Sequence, residues 1–420
     1  MPLGRVPARI RALGNRARFD GHEAPHAVVL DPFSAGLAFA RRIVRAGGRV
    51  TFLIDPSEPE VAHSRGTEAR VLPFEPAGEP WLAALRELAG SGETLLALPA
   101  TDRASELLSR ADPPLPPNVI AFERPGSAHL PLMDKESADA IARRAGVNVP
   151  WTEVLSSLED LERVGPRAPW PCVVKPVFSH EWRARYSGDR VFLVADAEEA
   201  RERLARPLGD GVQMLVCQYV AGGDDDVEEA IVVRLADGSY PVRFGCRKLR
   251  QWPPGFGMTA VGESSPLVET TAIAERVLDE AGFVGIAGVE VKRDANTGER
   301  WFLEVNVRMP GQWGLGDACG ADASVRLVET MLGRDPGPAP QPAAGVRMVL
   351  PELDAHVVGP ALKAAPARQR PALALRMLKP YLGAREVGMF DLRDPGPGLA
   401  LARKSVRGRL ARLRAKLRRG

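Results

Sequence analysis

The sequence predicts a mixed chain: an α/β domain built on a parallel sheet, an α+β domain rich in hairpins, and a basic helical tail. Three observations carry this. "HAVVLD", "PFSAGLAFARRIVRAGG" and "RVTFLIDPS" form a strand–helix–strand unit near the start. From Pro131 onward, strands pair across short turns. The last twenty residues, "LARKSVRGRLARLRAKLRRG", hold nine Lys/Arg and no acid.

The first unit joins buried-type strands through a crossover helix, which requires parallel pairing and a right-handed connection. "ETLLALPATDRASELLSRA" repeats strand then helix, so residues 1–128 read as a Rossmann-like domain. A dinucleotide fingerprint is missing there. The first turn, "DPFSAG", supplies only Gly36, and a pyrophosphate needs glycines that let the backbone approach. Asp55, before Pro56, reads as a turn residue rather than a ribose ligand.

The second domain spans 129–335. "MDKESADAIARRAGV" is a helix with a Gly stop, "WPCVVKPVFSHEW" holds a strand ending at Lys175, and "GVQMLVCQYVAGG" is a strand running into "DDD". "EEAIVVRLADGSYPVRFGCRKLRQW" is a hairpin around Asp-Gly. "SPLVETTAIAERVLDEAG" is an amphipathic helix, and "VGIAGVEVKRDANTGERWFLEVNVRMPG" is two strands around "DANTGE". The glycines of "GFGMTAVGES" suit a loop that approaches substrate, and Trp313 suits either an acceptor pocket or the core. Residues 336–398 read as a Pro/Ala-rich linker and extension, weakly structured from about 345 to 395 apart from a helix near "ALALRMLKPYL". Residues 399–420 form the basic tail, with Val406, Leu410, Leu413 and Leu417 spaced as one helical stripe.

At 420 residues, 45% hydrophobic and 26% charged, the composition is that of a soluble protein with more than one core. No apolar run approaches the ~20 residues that span a bilayer. The basic N-terminus lacks an apolar segment, so no secretory signal is read. Four scattered cysteines suggest neither zinc nor disulfides, and a cytoplasmic location is expected. Without the last twenty residues the body carries 47 basic and 53 acidic residues, so the tail is a separate electrostatic object.

The chemistry sits in "WFLEVNVRMPG". Strand residues alternate faces, so Glu304, Asn306 and Arg308 share one side and Leu303, Val305 and Val307 the other. Glu290, in "AGVEVKRD", joins them if the two strands pair across "DANTGE". Two carboxylates and an amide oxygen are hard donors suited to Mg²⁺, which keeps waters and takes phosphate oxygens as further ligands. A solvent-exposed sheet face with incidental acids does not explain acids embedded in apolar runs. Lys135 at a helix start and Lys175 at a strand end are candidate phosphate partners.

These motifs, in this order, resemble the ATP-grasp superfamily, and "KPVFSHEW" with "GCRKLRQWPPGFGMT" resembles its carboxylate–amine ligase branch, which includes D-aspartate ligase. The resemblance implies an N-terminal pre-ATP-grasp domain followed by an ATP-grasp fold. It implies Lys135 and Lys175 on the phosphates, Ser179 and His180 over the triphosphate, adenine along Gln218, Tyr219 and Val220, and ribose on Asp224 or Asp225. It implies Mg²⁺ (with Mn²⁺ as a substitute) on Glu290, Glu304 and Asn306. Arg308 would face the transferred phosphoryl group, with Arg247, Lys248 and Arg250 at the substrate end. The glycine-rich flap usual after the second lysine is absent, and Cys217–Gln218 stands where an acid is common.

The expected activity is ATP-dependent joining of a carboxylate to an amine through an acyl-phosphate, on small-molecule substrates. A carboxylase of the same fold and an inactive ATP-binding scaffold are the alternatives. A homodimer is compatible with the resemblance. The tail suits an anionic membrane surface, which would make the chain peripheral on the inner face. Nucleic acid is not the expected partner.

Overall fold

A computed structural model describes residues 24–177, 191–255 and 257–417, with Phe19, Trp182, Arg185 and Tyr186; beyond Gly408 only the backbone is described. The described residues form three sheets.

The first holds β1 (His26–Leu30), β2 (Arg49–Ile54), β3 (Glu68–Val71), β4 (Leu95–Pro99) and β5 (Val119–Ile120) in the order β3-β2-β1-β4-β5, all parallel. Every residue of β1 is buried, as a central parallel strand covered on both faces must be. Ala27 and Val29 pack with Phe39 and Trp313, while Val28 and Leu30 pack with Trp81 and Leu85. Asp55 does form a turn: its carboxylate accepts from the Ser57 amide and hydroxyl and from the Phe74 amide, holding its pKa down near 2.

The second sheet is antiparallel, ordered β6-β9-β7-β8: β6 (Thr152–Leu155), β7 (Cys172–Pro176), β8 (Phe192–Val194) and β9 (Met214–Gln218). One face closes over helices Leu158–Val164 and Ala197–Gly209 through Cys172, Val174, Met214 and Val216.

The third sheet is also antiparallel, ordered β14-β13-β10-β11-β12-β15. Its strands are β10 (Val227–Arg234), β11 (Val242–Trp252), β12 (Met258–Ser264), β13 (Gly285–Arg293), β14 (Arg300–Asn306) and β15 (Arg347–Val349). Ala230, Val232, Val289 and Val291 bury one face against helix Val268–Glu280. Ile231, Val233, Phe244 and Ile286 bury part of the other against helices Trp313–Ala318 and Ala323–Met331 and the first sheet's helix Phe33–Arg45.

Three expectations change here, and the open choice for Trp313 falls to the core. "MTAVGES" is not a loop but β12, with five of its seven residues buried between β11 and β15. Trp313 is fully buried with its indole N–H on Ser324 Oγ at 3.0 Å, so it anchors the core. Residues 345–395 are not weakly structured: β15 extends the large sheet, and helices Pro351–Ala364 and Arg370–Leu378 follow. Arg250 forks onto Asp354 at 2.7 and 2.9 Å and reaches the Met377 carbonyl, so it fastens this segment rather than lining a substrate site.

Candidate active site

Antiparallel partners opposite each other point to the same face. Glu229 of β10 lies opposite Glu290 of β13, and Glu290 opposite Glu304 of β14. Three carboxylates therefore form one row across three strands. Asn306 lies two residues past Glu304, opposite Gly288. A Cβ at Gly288 would come within 2.1 Å of Glu229 Oε1, so glycine there makes room for that carboxylate.

The row runs from buried to open. Glu229 is 1% exposed, Glu290 is buried and Glu304 faces solvent. Lys248 of β11 donates to both oxygens of Glu290 at 2.8 and 2.9 Å and to the Gly257 carbonyl at 3.2 Å. Burial works against its charge, but Glu290 and Glu229 outweigh that and raise its pKa. Burial, and then the charge of Glu304, pushes the Glu290 carboxyl up, with Lys248 opposing. Burial and the neighbouring Glu290 lift Glu229 to about 8.

Arg308 donates from Nη2 to Asn306 Oδ1 at 3.0 Å and from Nε to Asp102 Oδ1 at 2.9 Å. Asp102 opens the helix that follows β4. The Met309 amide donates to the Pro99 carbonyl at 3.1 Å, and Ser105 Oγ to the Val307 carbonyl at 2.9 Å. The end of β14 is thus stitched to the carboxyl edge of the parallel sheet, beside β1, where the strand order reverses. Crevices at such edges are where open α/β sheets bind ligands.

Lys135 donates to the Leu303 carbonyl at 2.7 Å and to Asp139 at 2.6 Å, which brings its ammonium to the strand that carries Glu304. Lys175 is half-buried on β7, opposite Leu215 and on the face away from the Val174 core; among the described residues it has no hydrogen-bond or ion-pair partner. At the end of β9 the Gln218 amide donates to the Trp151 carbonyl at 2.7 Å, and in the connection to β10 the Tyr219 amide donates to the Pro171 carbonyl at 3.3 Å. The Val220 amide donates to no described group. The Lys292 ammonium stands 5.1 Å from the centre of the Tyr219 ring. Ser179 and His180 lie outside the described residues.

Two assignments are corrected. Arg247 cannot share the face of Lys248, because adjacent strand residues point oppositely. It lies opposite Glu228 and Glu263 and pairs with Glu263 at 3.3 Å, on the side of helix Val268–Glu280. Asp224 spends both oxygens on the hairpin tip, accepting from the Gln251 amide and side chain, both at 3.0 Å, and from the Gly255 amide at 2.9 Å. The exposed Asp225 is the open carboxylate of that pair. Sequence reasoning missed Glu229, whose only signal was an acid inside the apolar run "EEAIVVRL", and Asp102, which no local pattern marks.

The donor set fits a divalent cation. Both oxygens of Glu229 are buried without a hydrogen-bond partner, beside the carboxyl groups of Glu290 and Glu304. Among the described residues no three His, Cys, Asp or Glu side chains form a ready metal cage. Glu290, Glu304 and Asn306 would supply part of a coordination shell and leave the rest to water or phosphate.

No protein-family model matches the sequence, and no curated protein matches it. Solved structures do. An ADP complex of N5-carboxyaminoimidazole ribonucleotide synthetase superposes with a TM-score of 0.61 at 16% identity, covering 81% of this chain and 85% of that one. An L-amino acid ligase from Bacillus licheniformis gives 0.53 at 17%, covering 73% and 74%. A biotin carboxylase–β,γ-ATP complex from Campylobacter jejuni gives 0.53 at 14%, covering 76% and 74%. The parallel sheet, the four-stranded sheet and the large sheet with its row of acids together give this chain the fold of these solved enzymes.

Proposed function

We propose that the chain is an ATP-dependent ligase that joins a carboxylate to an amine through an acyl-phosphate, releasing ADP and phosphate. The observation that carries this is the row Glu290–Glu304–Asn306, with Lys248 and Arg308 as its cations, lying where the large sheet meets the carboxyl edge of the parallel sheet. The fold of the superposed structures and the ligand named in two of them support it.

A carboxylate is a poor electrophile because its leaving group would be oxide; phosphorylation replaces that with phosphate. Catalysis of such a transfer is mostly positioning and charge stabilisation. Mg²⁺ held by Glu290, Glu304 and Asn306 would neutralise the terminal phosphates. Lys175 and Lys135 would bind phosphate oxygens, and the Val220 amide would donate to the purine. Arg308 would hold the transferred phosphoryl group against the acceptor carboxylate, its guanidinium oriented by Asp102 and Asn306. Lys248 opposes the rise that burial imposes on the Glu290 carboxyl and so favours its ionised, metal-binding form. Substrate would enter along the carboxyl ends of β1 and β4. Within the superfamily, the segments "KPVFSHEW" and "GCRKLRQW" favour the carboxylate–amine ligase branch; the corrections at Arg247 and Arg250 remove two residues of that likeness and leave Lys248.

The test is a phosphate-release screen with Mg·ATP and pairs of amino acids and small carboxylates. Release that requires both members of a pair is expected. Release driven by bicarbonate with one acceptor would make the chain a carboxylase, and tight ATP binding without release in any pair would make it a scaffold.

A further inference from the structure

Seven of the twelve exposed large apolar side chains among the described residues fall between Leu375 and Val406. The remaining five are scattered from Val71 to Val268. Leu375, Leu382 and Leu392 are the most open of the seven, at 72%, 73% and 100%. Single exposed leucines are ordinary, but such a concentration marks a surface that meets something apolar.

These side chains stand on an anchored layer. Arg41, itself buried, donates to Asp394 Oδ2 and to the Gly388 carbonyl, both at 2.8 Å. Tyr381 donates to Asp354 at 2.9 Å, beside the fork from Arg250. Leu382 and Leu392 therefore project from backbone fixed to the body. Phe390 lies against Gly398, where a Cβ would come within 2.7 Å of its ring, so the turn that bears Leu392 abuts the first turn of helix Gly396–Leu417.

That helix is the most basic part of the chain. Lys404 seats it on the Ser57 carbonyl at 2.8 Å and on Glu60, and residues 402–408 are exposed. In the sequence Leu399, Val406, Leu410, Leu413 and Leu417 recur at the helical spacing of one narrow stripe, with Lys or Arg at seven of the fourteen other positions from 399 to 417. No described helix is long and apolar enough to cross a membrane. A polybasic helix with a thin apolar stripe lies in the plane of an interface. The chain without its last twenty residues carries 47 basic and 53 acidic residues, so this helix is where positive charge is most concentrated for an anionic surface.

We infer that residues 375–417 form a docking face for an anionic lipid bilayer, with Leu382 and Leu392 entering the interface and the basic helix lying on the headgroups. Phosphate is also displayed by nucleic acid, but a phosphodiester backbone offers no burial to protruding leucines, and the concentration of apolar side chains decides for the bilayer. The inference is independent of the ligase reading.

The experiment is co-sedimentation of the full chain with vesicles of phosphatidylcholine containing about one-third phosphatidylglycerol, against phosphatidylcholine alone and against a short DNA duplex. Binding only to the anionic vesicles is expected, released by salt near about 0.5 M. The double variant Leu382→Asp, Leu392→Asp is expected to bind those vesicles at least about tenfold more weakly, as is Arg403→Glu with Arg407→Glu. Both pairs are exposed, and unchanged melting curves confirm their folding. Three results would each overturn the inference. They are no vesicle binding, leucine variants that bind like the parent, or a self-associated parent that the leucine substitutions turn into monomers.

Discussion

Lys248 and Glu290 form a buried pair in which neither partner has another counter-charge as close, so the two halves of the acid row differ in what a substitution does. Lys248→Met leaves Glu290 desolvated beside Glu229 and is expected to cost about 3–5 kcal/mol without nucleotide, read by chemical denaturation. Glu304→Gln touches an exposed end of the row. It should stay within about 0.5 kcal/mol of the parent in the same measurement while losing Mg²⁺-dependent phosphate release. Near-normal turnover in that variant would remove Glu304 from the metal set. The alternation of Glu304, Asn306 and Arg308 was legible because a strand repeats every two residues. Lys248 against Arg247, and Glu229 against Glu228, were not: neighbouring residues differ only in the face they take, and the register with β13 and β12 sets that face.

At the scale of elements, the least legible part was 345–395. Its strand is three residues long, and Gly359–Pro360 interrupts the pattern of a helix that tertiary contacts hold together. Two buried features of this segment are testable. Asp354→Ala frees the Arg250 guanidinium and removes the Tyr381 hydroxyl's partner. A loss of about 3–5 kcal/mol is expected, with faster proteolysis after residue 335 than in the parent. Glu352 has both oxygens buried without partners, and burial lifts its pKa from 4.5 to about 7. Between those values the folded chain keeps a proton that the unfolded chain has released. Its favourable contribution is therefore present below about 4.5 and lost as pH rises through about 7. Glu352→Gln should be more stable than the parent by roughly 3 kcal/mol at about pH 8, and the two should converge near about pH 4.5. The hairpins and the parallel sheet were legible for the opposite reason: their turns carry Asp-Gly and Asn-Thr-Gly, and their strands are long or wholly apolar.

At the scale of the whole molecule, nucleotide should act as glue between sheets that contribute different residues to one site. Mg·ATP at about one hundred times its dissociation constant adds about 2.7 kcal/mol to unfolding, a shift of several degrees in a melting curve. Lys175→Ala, on the four-stranded sheet, should shrink that shift while leaving the ligand-free curve in place. An equal shift in both proteins would take Lys175 out of the nucleotide site. The contacts between sheets were invisible to local pattern, and Asp102 shows why: it reaches Arg308 across two hundred residues of sequence. The short strand β15 has a practical corollary for anyone dissecting the chain. It covers the outer side of β12, so a fragment ending at residue 335 would leave a row of backbone amides and carbonyls open to any passing strand. Such a fragment should clump through edge-to-edge pairing, whereas a cut placed after Asp394 keeps that flank sealed.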